Sequence, residues 1–129
     1  MIEVYRIRQT IERTPRFVER VYTIAERNYC ESRGVSRFTS YAARFAAKEA
    51  ALKALKTGWR GSIAWHDLEI HRDGFGAPHL EIRGEAGKIL EILGANTVHL
   101  SMSHTTEHAI AQVILEFRSE PSAVAGGCT

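Results

Sequence analysis

The sequence predicts an α+β fold built as one domain, and three observations carry that reading. Apolar residues recur at helical spacing through the first part of the chain, alternate at a period of two from about residue 63, and return to helical spacing only between Gly84 and Gly94. Helices first, then strands with one helix inserted, is not the regular βαβ alternation of a parallel sheet. A chain of 129 residues buries one core and is too short for two. Residues 1–120 are therefore expected as a single domain, and 121–129, small and glycine-containing, as a flexible tail.

Each element has its own signal. Ile7 and Ile11, four apart, predict a basic amphipathic helix that stops before Pro15, because a residue preceding proline disfavours helical backbone. Phe17, Val18 and Val21 form a short apolar set. Thr23 with Glu26 three residues on has the form of a capping box, and Gly34 is expected to end that helix. From an N-cap at Thr39 or Ser40, the run Tyr41 to Lys56 lacks proline and glycine, and Gly58 stands where a left-handed C-terminal residue is wanted. Ile63 and Trp65, then Leu68 and Ile70 between Asp67, Glu69 and His71, read as strand. Asp73-Gly74-Phe75-Gly76 reads as a hairpin turn and Leu80 with Ile82 as the returning strand. After the helix from Gly84, two more strands, Val98 to Met102 and Ile110 to Leu115, flank Ser103-His104-Thr105-Thr106.

Charge and composition narrow the function. A net charge of +2 is too small to make the whole chain a nucleic-acid binder, but residues 6–20 hold Arg6, Arg8, Arg13, Arg16 and Arg20 against Glu12 and Glu19, a local +5 − 2 = +3. An acidic partner fits that stretch. No apolar run approaches the roughly 20 residues of a membrane span, and the N-terminus has no secretory pattern, so a cytoplasmic location is expected. Cys30 and Cys128 stand far apart and form no framework of bridges, so reduced thiols are expected.

The run from Tyr41 to Lys56 is apolar nearly all round, with seven alanines, so charges inside it need a reason. Glu49 and Lys53 stand one turn apart, as do Arg44 and Lys48. One reading is a solvated Glu–Lys pair with two surface cations. The other is a seat for a magnesium-bound diphosphate, with a hard carboxylate oxygen for the metal and cations for the remaining phosphate charge.

Arg44-Phe45-Ala46-Ala47-Lys48-Glu49-Ala50, followed by Lys53 and Thr57-Gly58, resembles the signature of the holo-acyl-carrier-protein synthases in the 4′-phosphopantetheinyl transferase family. Further matching segments are Glu3-Val4, Arg6-Ile7, Arg16 to Thr23, Asp67 to Ile70, Gly76-Ala77-Pro78 and His99 to Thr105. The resemblance implies an antiparallel sheet with packed helices, a homotrimer with sites between subunits, and a role in fatty acid biosynthesis. It implies transfer of 4′-phosphopantetheine from coenzyme A to a serine of apo acyl carrier protein, with Mg2+ and release of adenosine 3′,5′-bisphosphate. By the same resemblance Glu49 is a metal ligand and Lys53 the cation on the diphosphate. Arg44, His104 and Thr105 contact the 3′-phosphate, Lys48 is a further phosphate contact, and Arg6, Arg13 and Arg20 receive the acidic carrier protein.

One departure stands out. Family members carry a second carboxylate ligand, an aspartate three residues before the position of Glu3, and Met1 occupies the position after it. The first strand and that aspartate are thus expected upstream of residue 1, with Glu3 a partial substitute. The alternative is a coenzyme A and carrier-protein binding module without turnover. His104-Thr105-Thr106-Glu107-His108 has the H-x-x-E-H pattern of a zinc peptidase helix, but it lies between two strands, where a turn is expected. His99 and His108 are read as structural or solvent-facing, and the row Asp67, Glu69, His71, Asp73 as the wet face of a strand.

Overall fold

In the computed structural model, which describes residues 1–55 and 63–117, five helices and five strands follow the expected order. They are β1 (Ile2–Glu3), α1 (Val4–Arg13), α2 (Arg16–Val21), α3 (Ile24–Ser32), α4 (Arg37–Ala54), β2 (Leu68–Arg72), β3 (Pro78–Ile82), α5 (Gly84–Leu93), β4 (Thr97–His104) and β5 (His108–Glu116). Antiparallel β1, β5 and β4 form one sheet in that order, and β2 with β3 forms a separate hairpin. No helix among the described residues is long and apolar enough to cross a membrane.

Helix α4 is the spine. Its N-terminal half packs with α1, α2, α3 and Ala109 at the start of β5, in a cluster that includes Ile7, Tyr22, Cys30 and Tyr41. Its C-terminal half, Ala51, Leu52 and Leu55, packs with Leu68 and Ala86, with Val113 and Leu115 against it. Strand β5 thus runs along α4 in the same direction, and the β4–β5 turn sits at the N-terminal end of α4.

The capping box is present: Thr23 Oγ1 accepts from the Glu26 amide at 3.2 Å and Glu26 Oε1 accepts from the Thr23 amide at 2.9 Å. Gly94 closes α5 at φ +80. Gly84 opens α5 at φ +63, where a Cβ would collide with the Asp67 carboxylate, so the Asp67–Gly84 approach requires glycine.

Several expectations are corrected. Helix α4 begins at Arg37, two residues before Thr39, because a 3-10 turn at Gly34–Ser36 feeds straight into it. It ends at Ala54, and Gly58 lies outside the described residues, as does the tail 121–129. Trp65–Asp67 form a 3-10 turn rather than strand. The first strand is not wholly missing, since Ile2 pairs with Ala109 and Glu3 with His108. Of the row read as a wet strand face, Glu69 is only 16% exposed, held by the Thr23 hydroxyl at 2.5 Å and by Arg83 at 3.1 Å.

Candidate active site

The two charged ridges of α4 have opposite surroundings. Glu49 and Lys53 are exposed, and neither makes a hydrogen bond or ion pair among the described residues, so the solvated Glu–Lys pair is not formed. A carboxylate and an ammonium left a turn apart on an exposed ridge are available to a ligand. Arg44 and Lys48 point inward, 2% and 0% exposed.

Lys48 is not a phosphate contact in this structure. Its Nζ donates to Val21 O at 2.7 Å, Glu26 Oε1 at 2.7 Å and Trp65 O at 3.2 Å. An ammonium has three hydrogens, and all three are used. Burial pushes the Lys48 pKa below the ordinary lysine value against the opposing pull of Glu26. Glu26 is itself fully enclosed, and its Oε2 accepts from the Ile70 amide at 2.8 Å.

Arg44 has a different environment. Its guanidinium lies 4.3 Å from the centre of the Tyr29 ring, and among the described residues its buried Nε has no hydrogen-bond partner and no carboxylate is paired with it. Arg33 and Arg72 also approach that ring, at 5.7 and 5.8 Å, and Arg72 is tied down to Gly76 O at 2.7 Å. Three guanidiniums round one phenol make a concentrated positive seat for an anion. Reading along the chain misses Tyr29, Arg33 and Arg72, because Tyr29 and Arg33 belong to α3 and its C-cap while Arg72 ends β2, and only the fold brings them to Arg44; no local signal marks them.

His104 ends β4 opposite Ala109 and is exposed. Thr105 begins the turn, where its Oγ1 accepts from the amides of Glu107 at 3.2 Å and His108 at 3.0 Å. The hydroxyl hydrogen remains for an acceptor outside the turn. The H-x-x-E-H pattern is therefore a hairpin turn, and among the described residues no group of three His, Cys, Asp or Glu side chains is placed to hold a metal. A cleft of about 530 Å³ beside this turn is lined by Arg8, Phe38, Thr39 and Glu107 among others. Glu3 borders it, but its carboxylate is held by Arg6 at 2.7 Å, which argues against its standing in as a metal ligand. His99 pairs with Glu116 at 2.9 Å on the surface, a structural contact.

A single copy does not gather all these groups. Thr39 lies beside the β4–β5 turn, and Glu49 is ten residues further along α4, about 15 Å at the helical rise. Arg44 faces α3, away from both.

Arg6, Arg13 and Arg20 are exposed along α1 and α2, on the outer side of the buried Val4, Ile7 and Val21. Cys30 is buried, and burial pushes its thiol up to about 12, so it stays protonated and unreactive.

The family model of the 4′-phosphopantetheinyl transferase superfamily matches residues 2–113. The holo-[acyl-carrier-protein] synthase of Koribacter versatilis is 50% identical over 119 residues, 90% of this chain and 93% of that protein. Among solved structures, a holo-(acyl-carrier-protein) synthase from Bacillus anthracis in complex with coenzyme A (3′,5′-ADP) is 37% identical, with a TM-score of 0.73 and 91% of each chain covered. The Helicobacter pylori holo-[acyl-carrier-protein] synthase in complex with coenzyme A is 26% identical, with a TM-score of 0.77 over 89% of this chain and 95% of that one.

Proposed function

The chain belongs to the 4′-phosphopantetheinyl transferase superfamily, and we propose how its residues carry out the reaction it performs, transfer of 4′-phosphopantetheine from coenzyme A to a serine of apo acyl carrier protein. The observation that carries the reading is the exposed Glu49–Lys53 ridge of α4, two opposite charges one turn apart with no partner among the described residues. The serine Oγ attacks the β-phosphorus of coenzyme A as its proton passes to water, the bond from that phosphorus to the bridging oxygen breaks, and adenosine 3′,5′-bisphosphate leaves with that oxygen. Lys53 holds the diphosphate and balances charge on its oxygens. Arg44, with Arg33 and Arg72 beside it, and His104 with Thr105 take the 3′-phosphate.

The donor set at α4 fits Mg2+. This ion binds through one or two carboxylates plus substrate phosphates and keeps several waters, and Glu49 offers an uncommitted hard oxygen donor. When bound, Mg2+ would neutralise phosphate charge and align the diphosphate for in-line attack.

Arg6, Arg13 and Arg20 form the docking face for the acidic carrier protein. The working form is a homotrimer. Two features support this: the 3′-phosphate and diphosphate hang from one ribose while their contacts are spread over one copy, and the sheet face away from α4 exposes Ile110 and Ile114 by about half (51% and 50%). A cleft of about 470 Å³ lined by Ser101, Ser103, Ile110 and Gln112 lies on that face. Work in fatty acid biosynthesis in the cytoplasm follows from the substrate.

The test is a mass assay with coenzyme A, Mg2+ and apo carrier protein. The chain should add phosphopantetheine to the carrier, and Glu49→Gln should slow this by at least ~100-fold. Undiminished transfer by Glu49→Gln would refute the assignment of the ridge, and no mass shift at any Mg2+ concentration would make the chain a binding module.

A further inference from the structure

Lys48 precedes Glu49 by one residue and so by about 100° around α4. Whatever fixes the direction of Lys48 also fixes the direction of Glu49. Between Tyr41 and Leu52 the buried positions of α4 other than Arg44 and Lys48 are all alanine: Ala42, Ala43, Ala46, Ala47 and Ala51. Tyr41 and Leu52 at the ends of this stretch, and part-buried Phe45 against Phe17 and Trp65, give α4 its apolar shape, while the single methyl groups between them let neighbouring backbones come close and add little resistance to turning or sliding. A polar anchor is more demanding, because a displaced ammonium loses buried hydrogen bonds.

The anchor reaches three separate elements. Val21 is the last residue of α2, Glu26 lies in the first turn of α3, and Trp65 begins the turn before β2. Glu26 is pinned in turn by the amides of Thr23 and Ile70. The ion pair is fully enclosed, so it has no solvent-facing role. Replacing such a pair with apolar groups is often neutral for stability, which leaves geometric specificity as the contribution to look for.

We infer that Lys48 is a positioning residue: with Glu26 it sets the rotation and axial placement of α4 and so aims Glu49 and Lys53 at the coenzyme diphosphate. This rests on the reading of Glu49 and Lys53 given above. The same ammonium grips the end of α2, next to Arg20, so one side chain ties the carrier-docking segment to the ridge that meets the diphosphate.

Removing Lys48 alone would strand a buried carboxylate, so the test uses Glu26→Gln/Lys48→Met, which removes both charges together and keeps their volumes. Glu26→Gln alone is made in parallel; it keeps hydrogen-bonding atoms at position 26 but leaves the buried Lys48 ammonium without its counter-charge, so its urea midpoint is read first. Three quantities are measured: kcat at saturating substrates, the urea midpoint, and Mn2+ affinity by electron paramagnetic resonance in the presence of coenzyme A. The double variant should fold, with kcat down roughly ten- to hundredfold and Mn2+ affinity down with it, and Glu26→Gln should move both the same way by less. Wild-type kcat and Mn2+ affinity in whichever of these variants folds would overturn the inference and leave Lys48 as scaffolding. Glu49→Gln separates the two readings. If it keeps Mn2+ binding and transfer, the assignment of Glu49 fails; if it loses both while the double variant keeps both, only the positioning role fails.

Discussion

Arg44→Met separates a folding role from a ligand role for the buried guanidinium. In the free protein its Nε is enclosed without an acceptor, a cost of about 1–3 kcal/mol. Stacking on Tyr29 at 4.3 Å returns roughly 0.5–2 kcal/mol. These nearly cancel, so an apolar side chain of similar length should change folding stability by no more than about 1 kcal/mol in either direction. Binding should respond differently. Charge-assisted hydrogen bonds contribute about 1.5–3 kcal/mol, so losing the proposed 3′-phosphate contact should weaken coenzyme A roughly ten- to hundredfold. Dephospho-coenzyme A lacks that phosphate and should bind the variant and the wild type alike. Isothermal titration with both ligands, beside urea denaturation, reads the three quantities. Equal loss for both ligands would remove Arg44 from the 3′-phosphate site, and destabilisation beyond about 2 kcal/mol would show that Tyr29 stacking outweighs the unpaired donor.

Charge reversal by Arg6→Glu should raise the Michaelis constant for carrier protein while leaving that for coenzyme A near its wild-type value; equal effects on both would dismiss α1 as the docking face. Ile114→Lys places a charge on the half-exposed outer sheet face; if the proposed trimer uses that face, the variant should sediment as smaller species with transfer lost in parallel. Glu69 titrates below the ordinary glutamate value: burial pushes it up, but the Thr23 hydroxyl and Arg83 pull it down by more. Its contribution to stability is therefore complete above the unfolded glutamate pKa of about 4.5 and is lost as pH falls through the lower folded value. Glu69→Gln should flatten that acid limb of the stability curve, and an unchanged limb in urea titrations would place the acid sensitivity elsewhere.

Local features are legible along the chain where a short segment contains both partners. Thr23 and Glu26 can be read as a capping box because the bonds close within four residues. The β2–β3 turn is legible for the same reason, since Asp73 Oδ1 accepts from the amides of Phe75 and Ala77 within the turn itself. What escapes such reading is the second use of a residue. Glu26 also meets Lys48, 22 positions away, and Ile70, 44 positions away. The start of α4 escapes for a related reason. Thr39 and Ser40 have the chemistry of N-caps, but the preceding Gly34–Ser36 turn already delivers the backbone in a helical direction, and packing of Phe38 overrides the local preference.

The charged helix shows most sharply where sequence reasoning stops. Arg44 with Lys48 and Glu49 with Lys53 are the same motif on paper, charged residues four apart on an alanine-rich helix. A helical wheel places Lys48, with Arg44 beside it, in the stripe formed by Tyr41, Phe45, Leu52 and Leu55 and sets Glu49 and Lys53 off it, so the wheel points the first ridge inward but cannot name the partners waiting there. Those partners lie far away in the chain: Val21 O, Glu26 and Trp65 O receive the Lys48 ammonium, while Glu49 stands exposed on the adjoining side. The family signature places a lysine and a glutamate side by side, and the fold gives them opposite tasks. In the reading proposed above, the first holds the helix, and the second, exposed and without a partner among the described residues, meets the ligand.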